Sequence, residues 1–389
     1  MRVALNLEQC LQRPPGGIGR YAAELARLLP EVGAADGPAG RGEVEVVGFV
    51  AAHSRRGIDA AMRALALPER VTSLPWSRPV LYELWNRWGL ADPTRHRGAG
   101  GLRSVDLVHA PSVAVPPRGR VPLVVTVHDA APVLFPETFP ARGRRFHELG
   151  FRAAARRADV VIAPTAAAAD EIATHTEIPR GRITVIHHGV EVVAASTADV
   201  DAARAELGLG SEPYVLWVGT LEPRKGVDVL IDAFARVAAG GGSAHRLVLV
   251  GPRGWRHGLA HAKEHAAVLG HRVVFTGPVE PARLRALYRG ADLFAFPSRH
   301  EGFGLPVLEA GAQGAAVLAS DLPVRREGAG DAAAFGAVGE VAAWAAALGA
   351  LLGDPARRTA LGAAGRARAS QFTWLESASR HAEVYRSLV

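Results

Sequence analysis

The sequence has one cysteine and no long apolar run. Cys10 has no second thiol in the chain with which to form a disulfide, and this is typical of a reducing cytosol. No apolar stretch approaches the roughly 18 residues of a membrane span. No apolar leader precedes a cleavage site. We therefore expect a cytoplasmic protein, with peripheral association at the inner membrane face left open.

The sequence also lacks the common signatures of nucleic-acid binding. It has no zinc-finger spacing, no aromatic-basic RNA motif and no basic tail. The formal net charge of +7 comes mostly from arginine. A basic surface of this kind suits anionic lipid or a phosphorylated substrate as well as nucleic acid. We therefore expect no nucleic-acid partner.

Hydrophobic residues make up 49% of the 389 residues, which is enough for two α/β cores. Apolar strand-like runs alternate with amphipathic helical segments, and this repeat predicts mostly parallel sheets with helices on both faces. We expect a first Rossmann-like domain over 1–195 and a second over 196–371, with a linker at about 190–200. The last helix, within 372–389, carries apolar residues at helical spacing and should pack on another element.

The segment PSRHEGFGLPVLEA, residues 297–310, has the pattern of a ligand-binding turn. An apolar strand ends at Pro297, and Gly302 and Gly304 allow the backbone to bend sharply and approach a ligand. Pro306 suits the first turn of the helix that follows. The free amide groups of that helix start favour a phosphate or a sugar hydroxyl.

Charged residues are placed to bind a ligand at that turn. Glu301 stands at its mouth and Glu309 lies about one helical turn below Leu305, so two carboxylates can reach one polyhydroxylated ligand. After the strand PYVLWVG, Arg224 and Lys225 present a bidentate fork and a point charge. Two fixed cations can neutralise a diphosphate leaving group, as magnesium otherwise would. These residues predict a sugar-phosphate site, against the alternative of solvated turns.

Further candidates have weaker signals. Val279 follows the strand VVFTG in a loop that suits contact with a nucleobase. His128 and Asp129 end the strand PLVVTVHD at the carboxyl edge, where open α/β sheets place their ligands. Gly16 and Gly17 open the segment GGIGRYAAEL, which is predicted to begin an amphipathic helix. In an alternative interpretation, the two glycines form a flexible loop near a phosphate or an acceptor.

A dinucleotide site is an alternative for the same segment. Gly17, Gly19 and Ala22 form a GxGxxA pattern, which is typical of such sites. About ten residues separate the pattern from the first strand, and the second strand ends without the acidic residue that would hold a ribose. An NADP-dependent oxidoreductase therefore stays open as a second function class.

Two arrangements suggest a metal, and we expect neither to bind one. Asp199 and Asp201 form a DxD, but they stand just before a helical run, where aspartate caps a helix. His257, His261 and His265 share one helix face, but no carboxylate or cysteine is placed to complete a site. The second pattern predicts a solvated polar stripe.

Two arginine-rich segments are candidates for contact with a membrane surface. Residues 78–103 carry Trp85 and Trp88 among arginines, and residues 141–157 hold six arginines at partly helical spacing. The alternative is a pair of amphipathic helices, with the tryptophans packed inward and the arginines solvated.

Over most of its length the chain is similar to glycosyltransferase family four, whose members are retaining sugar transferases with the GT-B fold. The similarity is dense from residue 214 to 335 and also includes GGIGRYAAEL and VTVHD. The dense stretches are VGTLEPRKGVDVLIDAF, RLVLVGPRG, VVFTGPV, LYRGADLFAFPSRHEGFGLPVLEAGA and AVLASDLPVRREGAGDAAAF. The two glutamates with the glycine turn between them are the most specific motif. The resemblance implies two Rossmann-like domains facing a cleft, with the last helix returning to the first domain.

The resemblance also implies a role for each candidate. His128 would sit at the reacting sugar, and Glu301 would contact hydroxyls of the donor sugar. Arg224 and Lys225 would bind the diphosphate, and Glu309 would hold the ribose. The implied donor-binding residues are Gly16, Gly17, Val279, Gly302, Phe303, Gly304, Leu305 and Glu309.

The implied reaction transfers a hexosyl group, with GDP-mannose as the first choice of donor, to a glycan or lipid-linked saccharide. The sequence offers no evident nucleophile for a covalent intermediate, so we favour attack by the acceptor on the face that the nucleoside diphosphate leaves. No metal or cofactor besides the donor is expected. UDP-sugar and dTDP-sugar donors stay open, as do a noncatalytic nucleotide-sugar binder and an epimerase of the same fold.

Overall fold

The chain divides into two compact units. Unit 1 comprises Met1–Gly189 together with Trp374–Val389, and unit 2 comprises Val190–Thr373. The structure is a computed structural model that describes residues 1–12, 15–35, 44–67, 71–96, 100–241, 244–254 and 258–389.

Unit 1 is built on a parallel sheet. The strands are β1 (Arg2–Asn6), β2 (Glu45–Val50), β3 (Val71–Ser73), β4 (Leu107–Ala110), β5 (Leu123–Thr126), β6 (Val160–Ala163) and β7 (Ile183–Val185). The helices in this part of the chain are α1 (Gly16–Ala35), α2 (Arg55–Ala64), α3 (Arg78–Glu83), α4 (Ala131–Leu134), α5 (Ala141–Arg157) and α6 (Ala166–His175). Every residue of β4 and β5 is buried, as expected for central strands that are covered on both faces.

Unit 2 repeats this architecture. Its strands are β8 (Tyr214–Val218), β9 (Arg246–Val250), β10 (Val273–Gly277), β11 (Leu293–Phe296), β12 (Val317–Ser320) and β13 (Ala334–Gly336). Its helices are α7 (Thr197–Glu206), α8 (Val227–Ala239), α9 (Gly258–Ala266), α10 (Pro281–Gly290), α11 (Leu305–Gln313), α12 (Pro323–Ala329), α13 (Val341–Leu352) and α14 (Pro355–Ala369). The strands β8, β11 and β12 are buried throughout, which explains why they are apolar except for Ser320 at the end of β12.

The strand order of each sheet identifies where a ligand would bind. Among the described residues, the order is β3-β2-β1-β4-β5-β6-β7 in unit 1 and β10-β9-β8-β11-β12-β13 in unit 2. Both sheets therefore have the doubly wound order in which the direction of winding reverses beside the first strand. A crevice opens at that point, at the carboxyl ends of the two central strands. In unit 2 these strands are β8 and β11.

The last helix, α15 (Trp374–Arg386), follows unit 2 in sequence but belongs to unit 1, where it packs against α1. Ala378, Ala382 and Tyr385 are fully buried in this contact region. Their spacing along the helix places them on one face. None of the helices in the described ranges is long and apolar enough to cross a membrane.

The start of α1 confirms the helix predicted for the segment GGIGRYAAEL. Gly16 and Gly17 are the first two residues of this helix, so the alternative interpretation of the two glycines as a flexible loop is wrong. Gly16 has a φ of +63°, which glycine adopts without strain, and this allows the chain to enter the helix directly after Pro15. Gly19 has a packing role, because a Cβ there would overlap the carbonyl oxygen of Gln9.

Candidate functional site

Two loops meet at the crevice of unit 2. β8 and β11 pair in parallel, so the loops 219–226 and 297–304 leave the sheet side by side. The amide of Arg299 donates to the carbonyl of Arg224 at 2.8 Å. In return, Nη1 of Arg224 donates to the carbonyl of His300 at 3.0 Å. These two bonds join the loops into one surface.

Gly226 permits this close approach. It has a φ of +64° and precedes the first residue of α8. A Cβ at this position would overlap the carbonyl of Pro297, so glycine is required both by the dihedral angle and by the space. Just before it, Pro223–Lys225 forms a single 3₁₀ turn that carries Arg224 and Lys225 at the carboxyl end of β8.

Glu301 accepts contacts from several surrounding side chains. Its Oε1 accepts a hydrogen bond from Nζ of Lys225 at 2.6 Å and another from Oγ of Ser298 at 2.7 Å. Nη2 of Arg325 lies 3.7 Å from the same oxygen. The Glu301 side chain is only 10% exposed, so these charges interact with little screening by water.

A second ion pair extends this arrangement. Nη2 of Arg224 donates to Oε1 of Glu222 at 2.7 Å, and both side chains are largely buried. We call the largely buried charged residues of the two loops, together with the buried Arg325, the Glu301 cluster: Glu222, Arg224, Lys225, Glu301 and Arg325. Three cations and two carboxylates leave the cluster with one excess positive charge, which favours a bound anion.

The cations keep Glu301 ionised. Burial alone would raise the pKa of this carboxyl, but Lys225, Arg325 and Arg224 outweigh burial and hold the pKa well below its ordinary value. Burial lowers the pKa of Lys225 and lowers that of Arg325 to about 10, and Glu301 opposes both changes. An ionised Glu301 accepts hydrogen bonds and cannot donate them, which suits contact with sugar hydroxyls.

The turn before α11 is supported by two buried side chains. Gly304 has a φ of +87° at the N-cap of α11, and a Cβ there would overlap the guanidinium of Arg325. Nη1 of Arg325 donates to the carbonyls of Phe303 and Gly304, at 3.2 Å each. The ring of Phe303 packs against that of Phe372 with centroids 6.0 Å apart. Gly302, Phe303 and Gly304 are all buried, so the turn is a rigid element of the site.

Other candidates lie along the same edge of the sheet. Leu305 begins α11, and Glu309 follows one turn later, where Oε2 accepts a hydrogen bond from Tyr288 Oη at 3.0 Å. Val279 follows β10, the edge strand, and packs half-buried against the unit 2 core. Neither Glu309 nor Val279 belongs to the Glu301 cluster, so their roles toward a donor stay predictions.

Sequence reasoning missed Ser298, Glu222 and Arg325. The first two stand in the loops that follow β8 and β11, so their position after a central strand was a usable signal. Arg325 gave no such signal, because it lies on α12, 22 residues from Phe303 in sequence. Only the fold brings it under the glycine turn.

His128 lies after the carboxyl end of β5 in unit 1. Its Nε2 donates to the carbonyl of Pro111 at 2.9 Å, and its Nδ1 lies 3.2 Å from Nε2 of His188. Burial lowers its pKa, against the opposing effects of the Pro111 carbonyl and of Asp129. Both ring nitrogens are therefore engaged by the protein, and a hydrogen bond to a substrate requires one of these bonds to break.

Next to His128 the structure shows a buried polar network that the sequence did not predict. Its members come from α1, β4, β5 and α15, and they are Tyr21, His109, Thr126, Ser377, His381 and Tyr385. Tyr21 also contacts His128 edge to face, with ring centroids 5.2 Å apart. The members lie far apart in sequence, so no local pattern reveals them.

The direction of each hydrogen bond in this network follows from the Ser377 carbonyl, which can only accept. This carbonyl lies 2.6 Å from Nδ1 of His381, so Nδ1 carries the proton and Nε2 accepts from Tyr21 at 2.6 Å. The Tyr21 oxygen then accepts from Thr126 at 2.8 Å, and Thr126 accepts from His109 at 2.8 Å. All four ring nitrogens of His109 and His381 are hydrogen-bonded with both rings neutral. Burial lowers the pKa of His109 well below its ordinary value and that of His381 to about 4.

Both ends of this hydrogen-bonded network are side chains of the helix α15. Tyr385 of α15 donates to Nδ1 of His109 at 2.7 Å, while His381 of the same helix accepts from Tyr21. The network therefore connects α15 to the interior of unit 1 through two hydrogen bonds. His188 adds a third contact with α15, because its ring stacks on that of Trp374 with centroids 6.0 Å apart.

The structure describes the two sequence patterns that suggest a metal, the DxD at Asp199 and the histidines of α9, to different extents. Asp199 accepts from the amide and the hydroxyl of Ser196 in a capping box of α7, which confirms the capping role, although Ser196 is the N-cap. His257 lies outside the described residues, as does the side chain of His261. His265 pairs with Asp232 at 2.8 Å. The described residues contain no group of three His, Cys, Asp or Glu suited to a metal ion.

Comparison with known families identifies the chain. Residues 15–193 match the model described as Glycosyltransferase Family 4. Residues 199–368 match the model described as Glycosyl transferases group 1. The chain belongs to glycosyltransferase family 4. The glycine turn and both of its glutamates lie in the second matched region.

Curated relatives support this assignment. The chain is 40% identical over 286 residues to the D-inositol 3-phosphate glycosyltransferase of Nocardia farcinica, a match that covers 69% of this chain and 62% of that protein. It therefore spans less than two thirds of that relative's length. It is 26% identical over 383 residues to the O-antigen chain mannosyltransferase B of Escherichia coli, covering 97% of this chain and 98% of that protein.

Solved structures show the same architecture. The Anabaena protein HepE, crystallised with UDP and glucose, has a TM-score of 0.75 at 21% identity and covers 100% of both chains. At that identity the likeness concerns the fold alone. The two parallel-sheet units are those of the GT-B fold, which confirms the predicted fold class.

Proposed function

We propose that this protein is a retaining glycosyltransferase that moves a hexosyl group from a nucleotide sugar to a hydroxyl of a glycan or lipid-linked saccharide. The observation that carries the proposal is the Glu301 cluster at the switch point of unit 2. It joins an ionised acceptor for sugar hydroxyls, two cations at a strand end and a helix N-terminus within one small surface. This combination suits a sugar diphosphate.

Each element of the cluster has a part in binding the donor. Arg224 and Lys225 interact with the diphosphate and stabilise the charge that develops as it leaves. Glu301 accepts from hydroxyls of the donor sugar. The amides at the start of α11 approach the same group, because the first amides of a helix have no intrahelical partners. Glu309 holds the ribose, and Val279 lies against the base.

The reaction proceeds with retention at the anomeric carbon. The nucleoside diphosphate departs, and the acceptor hydroxyl attacks on the face that it leaves, with the leaving diphosphate taking the acceptor proton. We assign His128 of unit 1 to contact with the reacting sugar. Because its Nε2 proton is held by the Pro111 carbonyl, this ring serves better as an oriented polar contact than as a general base.

GDP-mannose is the first candidate donor. The Escherichia coli relative that matches almost the whole chain is named a mannosyltransferase, which supports mannose. UDP-hexoses follow, because a structure of the same fold holds UDP and glucose. The Nocardia relative adds a phosphorylated cyclitol to the acceptors worth testing, since its name specifies D-inositol 3-phosphate.

A thermal-shift panel with GDP, UDP, dTDP, ADP and NADPH tests the donor class first. A ligand present at about 100 times its Kd adds roughly 2.7 kcal/mol to native stability, which is a readily measured shift. We expect GDP to raise Tm and Glu309→Ala to abolish the shift. A shift with UDP or dTDP alone would change the donor base. A shift with NADPH alone, or binding without turnover of any nucleotide sugar, would overturn the transferase proposal.

A surface of unit 1 supports association with an anionic membrane. Val80, Trp88 and Leu90 are 49, 59 and 56% exposed, and the Arg87 guanidinium lies 4.8 Å from the Trp88 ring centroid. The sequence alternative, with both tryptophans inward, holds only for Trp85, which is buried. The arginine-rich α5 lies beside this segment, since Arg145 pairs with Glu83 at 2.8 Å. Exposed apolar side chains among arginines suit an anionic lipid surface.

Sedimentation with vesicles tests this surface. We expect binding to vesicles that contain phosphatidylglycerol and weaker binding to pure phosphatidylcholine. The double variant Trp88→Ala, Leu90→Ala should lose binding, whereas Val268→Ala, which removes an apolar side chain that is 83% exposed in unit 2, should retain it. Equal binding by wild type and double variant would exclude this surface as the membrane contact.

A further inference from the structure

Arg325 is almost completely buried beneath the turn that joins β11 to α11. Its side chain is 1% exposed, and among the described residues only Nη1 has hydrogen-bond partners, while Nε and Nη2 have none. Nη2 lies 3.7 Å from Oε1 of Glu301, which is an ion-pair distance rather than a hydrogen bond. The ring of Phe296 lies 4.7 Å from the guanidinium carbon. A buried cation with unsatisfied donors costs stability, so packing alone does not explain it.

Nη1 of Arg325 sets the direction of two peptide groups. It donates to the carbonyls of Phe303 and Gly304, both at 3.2 Å. In a planar trans peptide, the carbonyl and the amide hydrogen of the next residue point in opposite directions. The amide hydrogens of Gly304 and Leu305 therefore point away from Arg325. These amides belong to the start of α11, where a helix attracts an anion.

The guanidinium of Arg325 also forms an ion pair with the Glu301 carboxylate. Lys225 and Ser298 hold the carboxylate by hydrogen bonds to Oε1, and Arg325 approaches that oxygen without forming a third. One side chain thus contacts both the carboxylate and the backbone of the turn. We propose that Arg325 is a positioning residue of the donor site, which aims the Gly304 and Leu305 amides at the donor and orients Glu301. This inference rests on the proposed function, and Arg325 itself touches no substrate.

Two substitutions separate the positive charge of Arg325 from the hydrogen-bond donors of its guanidinium. Arg325→Lys keeps a cation near Glu301 but has one nitrogen and a shorter reach to the two carbonyls. Arg325→Met keeps an unbranched apolar stem and removes both functions. Arg326→Met is the matched control, because Arg326 lies on the same helix but is exposed and pairs with Asp321 at 2.8 Å through two nitrogens. Melting temperatures of all variants establish which remain folded.

Steady-state kinetics with the nucleotide sugar that wild type uses is the first test. We expect Arg325→Met to lower kcat on the order of 100-fold, because a displaced turn misplaces both the amides and Glu301. Arg325→Lys should retain more activity, and Arg326→Met should stay within about twofold of wild type. Equal kcat in folded Arg325→Met and Arg326→Met would overturn the proposal.

The pH profile distinguishes positioning from packing. Glu301 faces Lys225, Arg224 and Arg325, and Glu222 partly offsets Arg224, so removal of Arg325 leaves two cations beside the carboxylate. The acid limb of kcat/KM should therefore move to higher pH in Arg325→Met and should not move in Arg325→Lys or Arg326→Met. An unmoved limb in all three variants would show that Arg325 only supports the fold.

Hydrogen exchange separates failure of this inference from failure of the proposed function. If wild type binds no nucleoside diphosphate and turns over no nucleotide sugar, the proposed function is wrong, but the turn can still be measured. Faster exchange across residues 302–305 in Arg325→Met than in Arg326→Met would support positioning of these amides. Equal exchange in the two variants would overturn it.

Discussion

Lys225 is one of two lysines in a chain whose basic residues are almost all arginine. Of the 45 lysine and arginine residues, only Lys225 and Lys263 are lysine. The ammonium of Lys225 lies 2.6 Å from Glu301 and 5.7 Å from the centre of the Phe296 ring. A planar guanidinium is larger and needs more donors satisfied, so it cannot occupy this space without moving the carboxylate. The geometry therefore favours a compact positive charge at this position.

We therefore expect Lys225→Arg to impair transfer although the charge is kept. The loss in kcat should be on the order of 100-fold, because the Glu301 carboxylate is displaced. Lys263→Arg is the control, since Lys263 lies exposed on α9. Initial rates at saturating donor measure the effect. Unchanged rates in Lys225→Arg would show that any cation suffices.

Arg224 should matter chiefly to the chemical step. Arg224→Ala removes a cation from the leaving-group side, where negative charge grows during transfer, so kcat should fall by roughly 100-fold to 1,000-fold. Arg299→Ala removes an equal charge from the adjoining loop, but Arg299 is 42% exposed and pairs with Asp228. Its kcat should stay near that of wild type. A change confined to KM in Arg224→Ala would assign Arg224 to uniform binding of the diphosphate instead.

At the scale of elements, the turn before α11 depends on glycine for space as well as for backbone conformation. Gly304→Ala combines a φ of +87° with overlap of the Arg325 guanidinium. Gly339→Ala has a similar φ of +76° but meets open space, so it carries only the conformational cost of about 1 kcal/mol. We expect urea unfolding to show a clearly larger loss for Gly304→Ala, together with loss of the nucleotide thermal shift. Equal losses would mean that Arg325 moves aside at little cost.

The helix α15 is held by groups that must stay neutral. His381 has a pKa of about 4 in the folded state because of burial, against about 6.5 in an unfolded chain. The unfolded chain therefore binds more protons between these values. Stability from this residue is complete above about pH 6.5 and is lost as pH falls toward about 4. Burial lowers the pKa of His109, His128 and His188 as well, so they add to the same acid loss.

We expect the free energy of unfolding of unit 1 to fall steeply between pH 7 and pH 5. His381→Gln should lower stability at pH 7, because Tyr21 loses its acceptor, and should also reduce the slope by up to about 1.4 kcal/mol per pH unit. His175→Gln, at an exposed position on α6, should leave the slope unchanged. Urea unfolding at several pH values gives the slopes. Identical slopes in wild type and His381→Gln would show that another group titrates.

The sequence predicted what depends on local patterns. The buried strands β8 and β11 read as apolar runs, and the glycine turn with its glutamates was evident because these residues are neighbours in sequence. Arg325 and the pairing of Tyr21 with His381 were not predictable, because their contacts span 22 and 360 residues and depend on the fold. The helix that begins at Gly16 was predicted, but the alternative of a flexible loop at Gly16 and Gly17 was wrong, because a glycine with a φ of +63° can begin a helix.

At the scale of the whole molecule, we propose that positive charge takes the place of a metal ion in the reaction. Arg224 and Lys225 are the two cations proposed for the leaving group, and the Glu301 cluster has a net charge of +1. We expect full transferase activity after dialysis against excess EDTA, measured as kcat with purified donor. Activity that vanishes with EDTA and returns with Mg²⁺ or Mn²⁺ would show that these cations are insufficient.

The order of synthesis has a consequence for how the chain folds. Unit 2 is one continuous segment, and its ends are already joined by a hydrogen bond from the amide of Val190 to the carbonyl of Phe372 at 2.8 Å. Unit 1 is discontinuous, because it includes α15, and α15 leaves the ribosome only after all of unit 2. Until then Tyr21 and His109 lack their partners on α15. The first unit to begin synthesis is therefore the last to complete its interior, and a released chain that ends before Trp374 should contain a folded unit 2 and an incomplete unit 1.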